Sequence, residues 1–156
     1  MEPLDRSDFT PLRQILHRAA IRYLDVMATG LRIEGEPNPL RVVVARIYDF
    51  GGARTLYAQR KPKCRSLDGV TSMMREPKQA CADCLQRHAC TPQTRVDLLI
   101  GRQSYRCILS FTSATNFLVY ESVIRREGFQ LDRVDTEITV IDRRTWGELR
   151  FRRLDS

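Results

Sequence analysis

The chain has 156 residues, 42% hydrophobic and 29% charged, and this composition excludes a disordered or fibrous protein. No apolar run approaches the roughly 20 residues that a membrane-spanning helix needs, and the acidic, polar start MEPLDRSDF is unlike a secretory signal. We therefore expect one cytoplasmic domain over residues 1–156, without a membrane partner. Its net charge of +7 favours a polyanionic partner.

The first predicted element is a helix over residues 10–29. Thr10 is a suitable N-cap, Pro11 suits the first helical position, and Gly30 can end the helix in a left-handed turn. A 3.6-residue period relates its apolar side chains, which are Leu12, Ile15, Leu16, Ala19, Tyr23, Leu24 and Met27. Such a stripe either packs on the core or docks onto a protein partner.

Strands are predicted next. Residues 40–50 are rich in β-branched side chains and partly alternating, which favours a strand. The glycines that follow, in the stretch 49–52, indicate a turn, and residues 54–58 are then the returning strand of a hairpin. Beyond the cysteine-rich segment, residues 95–100 and 105–111 predict a second strand pair about Gly101-Arg102.

The last third of the chain combines a helix with strands. Thr112-Ser113 opens a helix over 114–127, which Gly128 ends, with Phe117, Tyr120 and Ile124 on one face. The tail holds three further segments, 129–134 and the alternating strands 136–141 and 148–154, the last two joined by the turn 142–147. This order predicts an α+β fold, an antiparallel-rich small barrel or sheet with a metal-stapled loop and two flanking helices.

Four of the five cysteines predict a metal site. Cys81 and Cys84 are separated by two residues, so that a tight turn can direct both thiolates at one ion, and Cys64 and Cys90 complete a tetrahedron. His88 could replace Cys90 as the fourth ligand. With all four positions filled by the protein, no position remains for a catalytic water, and we expect a structural role.

Two metals suit these ligands. The long polar excursion between Cys64 and Cys81 is typical of a loop stapled by Zn²⁺, which would order the insertion 61–92. The alternative is a [4Fe–4S] cluster, because the C-x2-C-x5-C spacing also occurs in DNA-repair glycosylases and some nucleases. The fifth cysteine, Cys107, lies in an apolar stretch and is predicted to be a small buried side chain.

Several short motifs together carry a resemblance. They are Cys64-x-Ser66-x-Asp68-Gly69, Cys81-x-x-Cys84, Cys90 and the helix Thr112-Ser113-x-x-Asn116-Phe117-x-x-Tyr120. In these the chain resembles, over about residues 60–141, a family of small phage- and plasmid-encoded four-cysteine proteins. The resemblance implies single-stranded DNA binding in a mobile-element replication, recombination or defence setting, on an oligonucleotide-binding barrel. The short segment from Cys84 to Cys90 and the N-terminal helix depart from the family pattern.

The residues themselves also favour nucleic-acid binding. A single-strand binder combines a basic groove with aromatic faces on which bases stack. The candidate contacts are basic and aromatic residues near the cysteines and at hairpin tips, namely Arg54, Tyr57, Arg60, Lys61, Lys63, Arg65, Lys78, Arg102, Tyr105, Arg106, Arg143, Arg144 and Trp146.

The alternative hypothesis is a protein–protein adaptor, or a small subunit of a nucleoprotein complex, that docks through its N-terminal helix. An enzyme is not predicted. The chain has two histidines, and it lacks a phosphate-cradling glycine loop and the H-E-x-x-H pattern of metalloproteases.

Overall fold

A computed structural model of the chain describes residues 21–58, 61–67, 81 and 90–155. Within these ranges the fold contains eight strands and one long helix. The strands are β1 Arg22–Met27, β2 Gly30–Ile33, β3 Val42–Ala58, β4 Lys61–Ser66, β5 Thr91–Ile100, β6 Gln103–Leu109, β7 Thr136–Asp142 and β8 Gly147–Arg153. The helix α1 spans Phe111–Arg126, and a single 3-10 turn spans Leu131–Arg133.

The strands form one curled sheet in the order β2-β1-β6-β5-β3-β7-β8, with β4 added to the far end of β3. All of the strand pairs are antiparallel except β1 with β6. Leu40, just before β3, exchanges two 2.8 Å backbone hydrogen bonds with Leu31 of β2, so the chain entering β3 lies against the opposite edge of the sheet. The sheet is therefore a half-barrel, which confirms the antiparallel-rich small-barrel part of the predicted fold class.

The inner face of the half-barrel holds the apolar core. Alternate residues of β5 and β6 point inward, among them Leu98 and Cys107, and α1 fills the open side. The fully buried Phe117 of α1 packs edge-on against Phe50 at 5.1 Å and Phe151 at 5.4 Å between ring centroids. Cys107 is 1% exposed, which confirms that this cysteine is a buried side chain, and burial raises the pKa of its thiol to about 12.

The predicted helix 10–29 is wrong over its second half. Residues 22–27 form β1, which pairs in parallel with β6 and antiparallel with β2. Leu24 is buried in the core between more exposed neighbours. The apolar residues of 22–27 therefore fit the two-residue period of a strand as well as the 3.6-residue period of a helix. Hydrogen bonds from two neighbouring strands decide between the two patterns. Residues 10–20 lie outside the described part of the chain.

The predicted hairpin about Gly51-Gly52 is also wrong, because β3 continues straight through both glycines. Gly51 pairs with Arg95 and Gly52 with Thr94 of β5, and neither glycine has a positive φ. A Cβ atom on Gly51 would lie 3.1 Å from a guanidinium nitrogen of Arg95. The glycine thus makes room for an arginine from the neighbouring strand rather than a change of direction.

The remaining predictions for the C-terminal part are confirmed. The β5–β6 hairpin turns at Gly101, whose φ is +60°. The helix buries Phe117, Tyr120 and Ile124, and Gly128 follows it with a φ of +84°. Strands β7 and β8 match the two predicted alternating strands, whereas the segment 129–134 contains the 3-10 turn. No helix in the described ranges has the length and apolar character to span a membrane.

Candidate nucleic-acid interface

Several predicted site residues lie at one end of the sheet, and the strand register places them there. Gly52 of β3 pairs with Thr94 of β5, which pairs with Leu109 at the end of β6. Strand β1 runs parallel to β6 and ends at the same side with Met27. We call this end the upper end. It carries the β3–β4 connection, the start of β5 and the β1–β2 turn.

The cysteine segment enters and leaves the sheet at the upper end. Strand β4 places Cys64 opposite Leu56 of β3, and Cys90 directly precedes Thr91, which pairs with the neighbouring Thr55 on the other side of β3. The half-buried Cys64 and Cys90 therefore bracket the last part of β3. The sheet thus fixes both ends of the connection that carries Cys81 and Cys84.

An arginine ties down the start of this connection. The Nε of Arg95 donates a 3.0 Å hydrogen bond to the carbonyl oxygen of the buried Leu67, the residue after β4. On the same outer face of the sheet, Arg65 donates a 3.2 Å bond to Thr55, and Thr55 donates a 2.6 Å bond to Gln93. Side chains from β3, β4 and β5 thus hold together the base from which the cysteine loop rises.

The four-cysteine site itself stays a prediction. In residues 21–58, 61–67, 81 and 90–155, no three histidine, cysteine or acidic side chains lie close enough together to hold a metal ion. The predicted ligand Cys84 and the alternative fourth ligand His88 lie outside these ranges.

The turn between β7 and β8 presents the tryptophan. Arg144 has a φ of +73°, which is uncommon for a residue with a side chain. Its amide donates a 2.7 Å hydrogen bond to the carboxylate of Asp142, and the amide of Arg143 donates a 3.0 Å bond to the carbonyl of Trp146. These bonds hold the turn while Trp146 stays 39% exposed.

Gly147 fixes the turn against the end of β1. A Cβ atom at this position would collide with the carbonyl oxygen of Met27 and lie 2.9 Å from Val140. Only glycine allows this close approach of the two backbones. Along β3 the turn lies at the N-terminal end, because Thr139 of β7 pairs with Val42, whereas Cys64 pairs with Leu56 at the C-terminal end of the same strand.

Two arginines share one carboxylate beside this turn. Glu148 is buried, and it accepts hydrogen bonds from Arg150 at 2.9 Å and from Arg143 at 3.3 Å. The bond from Arg150 is the main reason why the pKa of Glu148 lies below its ordinary value. Both guanidinium groups remain accessible to solvent.

A second carboxylate is shared in the same way on the outer face of the half-barrel. The buried Asp97 of β5 accepts hydrogen bonds from Arg95 at 2.5 Å and from Arg106 at 2.9 and 3.1 Å. Arg95 also contacts Asp49 at 3.2 Å. The hydrogen bond with Asp97 raises the pKa of Arg106, and Tyr23 is a further partner. This cluster is bound by internal charges rather than open to a ligand.

The structure bears on two of the predicted contacts. Tyr105 is 6% exposed and belongs to the core, because it lies on the inner face opposite Leu98, so the prediction that it stacks on a base is wrong. The guanidinium group of Arg106 is bound to Asp97, and its role as a nucleic-acid contact stays a prediction. Sequence alternation alone could not assign the faces of β6.

Other predicted contacts are accessible. Arg54 is exposed near the upper end, Arg144 is exposed in the β7–β8 turn, and Arg102 is exposed in the β5–β6 turn. The structure gives the backbone but not the side-chain surroundings of Tyr57, Lys61 and Lys63, whereas Arg60 and Lys78 fall outside its described ranges.

The structure also identifies residues that sequence reasoning missed. Arg150 was overlooked, although the two-residue spacing of Glu148, Arg150 and Arg152 on one strand is a visible signal. The Ser113 and Asn116 of the helix motif receive a structural explanation. Ser113 accepts a 2.9 Å hydrogen bond from the amide of Leu149, and Asn116 donates a 3.0 Å bond to its carbonyl. These side chains cover the open edge of β8 at Leu149.

Comparison with known proteins adds no assignment: no family model matches the chain, nor does any curated protein or solved structure.

Proposed function

We propose that the protein binds single-stranded nucleic acid, most readily single-stranded DNA of a mobile element, at the Trp146 turn. The basic segment around the cysteines, at the other end of β3, would add a second contact with the strand. A structural metal ion on Cys64, Cys81, Cys84 and Cys90, Zn²⁺ rather than a [4Fe–4S] cluster, would order the basic loop between the strands.

One observation carries the proposal. Trp146 is the only tryptophan of the chain, and its turn is fixed by hydrogen bonds and by Gly147 although the ring is partly exposed. A hydrophobic ring held at the surface by a strained backbone favours a binding role, since the conformation of Arg144 costs free energy. Bases of any sequence can stack on such a ring, with about 1–3 kcal/mol per base.

The charges around the ring also support the proposal. Arg143, Arg144 and Arg150 lie in or directly beside the turn. Among the described residues, Arg54 and Arg144 have no carboxylate partner within 4.0 Å. Guanidinium groups of this kind can bind phosphates in bidentate fashion.

The test uses the fluorescence of Trp146 itself. Titration with a single-stranded oligonucleotide of about 20 nucleotides at low salt should quench the emission, and a duplex of equal length should quench it less. The affinity should fall steeply with salt, because each neutralised phosphate releases counterions.

Substitutions then locate the surface. Trp146→Ala, followed by anisotropy of a labelled oligonucleotide, should weaken binding about tenfold or more. Arg144→Gln should weaken binding and reduce the salt slope by about one. Arg125→Gln is the matched control, since this exposed arginine lies on α1 away from the turn. Absence of quenching at low salt by a folded protein would overturn the proposal.

The metal is tested separately. Elemental analysis of freshly purified protein should give one zinc per chain, whereas a brown protein absorbing near 400 nm would instead indicate an iron–sulfur cluster. Removal of the metal by a chelator should weaken oligonucleotide binding if the loop contributes to the surface.

A further inference from the structure

The helix α1 is apolar on two opposite faces. One face is buried through Ser113, Phe117, Tyr120 and Ile124. The other faces solvent and still carries large apolar side chains, with Phe111 85%, Val119 60% and Leu118 47% exposed. A surface helix normally has a polar outer face, and a helix that is hydrophobic all round is covered on both sides. The outer face is therefore an interaction surface.

The residues of this outer face have a symmetric order. At 100° per residue the outward stripe contains, in sequence, Phe111, Thr115, Leu118, Val119, Ser122 and Arg126. The centre of the stripe is the apolar pair of Leu118 and Val119. A hydroxyl residue flanks the pair on each side, and Phe111 and Arg126 are at the two ends.

We propose that this stripe pairs with the same stripe of a second copy of the chain, with the two helices antiparallel about a two-fold axis at Leu118–Val119. In this arrangement each Leu118 faces the Val119 of the other copy, and each Thr115 faces a Ser122. Each Phe111 faces an Arg126 of the other copy, which allows a cation–π contact at both ends. A self-complementary patch of this kind is what a two-fold interface requires.

Charge favours a second copy over another occupant, and the small area of the stripe sets the expected strength of the dimer. The stripe contains one basic and no acidic residue, and its arginine has an aromatic partner in the symmetric pair. Glu121, at the side of the stripe, is already paired with Arg125 at 3.8 Å. One 16-residue helix buries less surface than the roughly 800 Å² per partner of a standard interface. We therefore expect a weak dimer, with a Kd of about 10 µM to 1 mM.

Sedimentation equilibrium of the full chain without nucleic acid tests the pairing. The wild-type protein should show a monomer–dimer equilibrium, and Leu118→Arg should weaken it tenfold or more. Val44→Arg is the matched control, because Val44 is an equally exposed aliphatic residue on β3, outside the stripe. It should leave the equilibrium unchanged. Thermal unfolding of each variant verifies that the fold is intact.

A mixing experiment tests the antiparallel register. Thr115→Glu and Ser122→Lys place opposite charges face to face when the two variants are mixed, and the mixed dimer should form two- to fivefold more tightly than either variant alone. A mixture of Thr115→Glu with Thr115→Lys is the control, because these positions lie about 10 Å apart along the helix axes and gain no pair.

The proposal would be overturned by a protein that remains monomeric up to about 1 mM. A dimer that Leu118→Arg does not weaken, or a gain in the Thr115→Glu and Thr115→Lys mixture equal to that of the facing pair, would also overturn it. Each of these results is independent of oligonucleotide binding, so that the two proposals fail separately.

Discussion

Among the described residues, two carboxylates are each held between two arginines. Asp97 lies between Arg95 and Arg106 in the half-barrel, and Glu148 lies between Arg143 and Arg150 beside the β7–β8 turn. Both carboxylates are buried, but the arginines differ. The side chains around Asp97 are 12% and 20% exposed, whereas those around Glu148 are 43% and 58% exposed.

The difference separates arginines that hold the fold from arginines that can bind a ligand. A buried guanidinium group that loses its carboxylate keeps an uncompensated charge, which is strongly destabilising. An exposed group is solvated either way, so it can exchange a carboxylate for a phosphate at little cost. Four substitutions test this contrast.

The largest effect is expected for Asp97→Asn. The amide keeps the shape of the side chain but leaves Arg95 and Arg106 without their common counter-ion, and the free energy of unfolding should fall by about 4 kcal/mol. Chemical denaturation measures the loss. Adding Arg106→Gln to this variant should cost less than Arg106→Gln costs alone, because the partners are coupled. Strictly additive losses would show that the cluster is not a structural unit.

A smaller effect is expected for the arginines themselves. Arg106→Gln should lower the free energy of unfolding by about 2 kcal/mol, because it leaves Asp97 under-paired inside the sheet. The matched variant Arg143→Gln should change stability by less than about 0.5 kcal/mol and instead weaken oligonucleotide binding. If both variants lose stability equally, the contrast between the two clusters is wrong.

A smaller loss of stability than for Asp97→Asn is expected for the other shared carboxylate, with Glu148→Gln costing about 1 kcal/mol at neutral pH. Hydrogen bonds lower the pKa of Glu148 in the folded protein, so its contribution is complete above the ordinary value of 4.5 and is lost as the pH falls through the lower folded value. The difference in stability between wild type and variant should therefore shrink below about pH 4.5. A difference that is constant from pH 7 to pH 3 would contradict this assignment.

The same variant should affect oligonucleotide binding in the opposite direction. Removal of the carboxylate frees Arg143 and Arg150 for phosphate, and the affinity should rise about two- to fivefold. Fluorescence titration of Trp146 measures it, with Glu137→Gln as the control, since Glu137 pairs with Arg152 farther from the turn.

The fold was predictable where local pattern and turn chemistry agree. The β5–β6 hairpin has alternating strands and a glycine at its turn, and α1 has one buried face and a terminal glycine. Residues 22–27 fit both the helical period and the strand period. Only their pairing with β6, some 80 positions later in the chain, selects the strand. The role of Gly51 could not be predicted for the same reason. The glycine leaves space for Arg95, and Arg95 comes from a neighbouring strand.

The candidate site was predictable in its turns and not in its strands. Trp146 and Arg144 belong to a tip whose residues are exposed in almost any packing. Tyr105 and Arg106 are adjacent in sequence and lie on opposite faces of β6, one in the core and one against Asp97. Which face of β6 is buried depends on how the sheet packs, and the local sequence of the strand does not determine it.

The bonds of Ser113 and Asn116 to Leu149 have a consequence for the order of synthesis. Strand β8 is the terminal strand of the sheet, and an open strand edge is a template for aggregation. The helix that covers this edge precedes β8 in the chain, so it leaves the ribosome first. Strand β8 therefore meets its cover as it forms. A chain that has lost both side chains should aggregate during expression rather than merely unfold at a lower temperature.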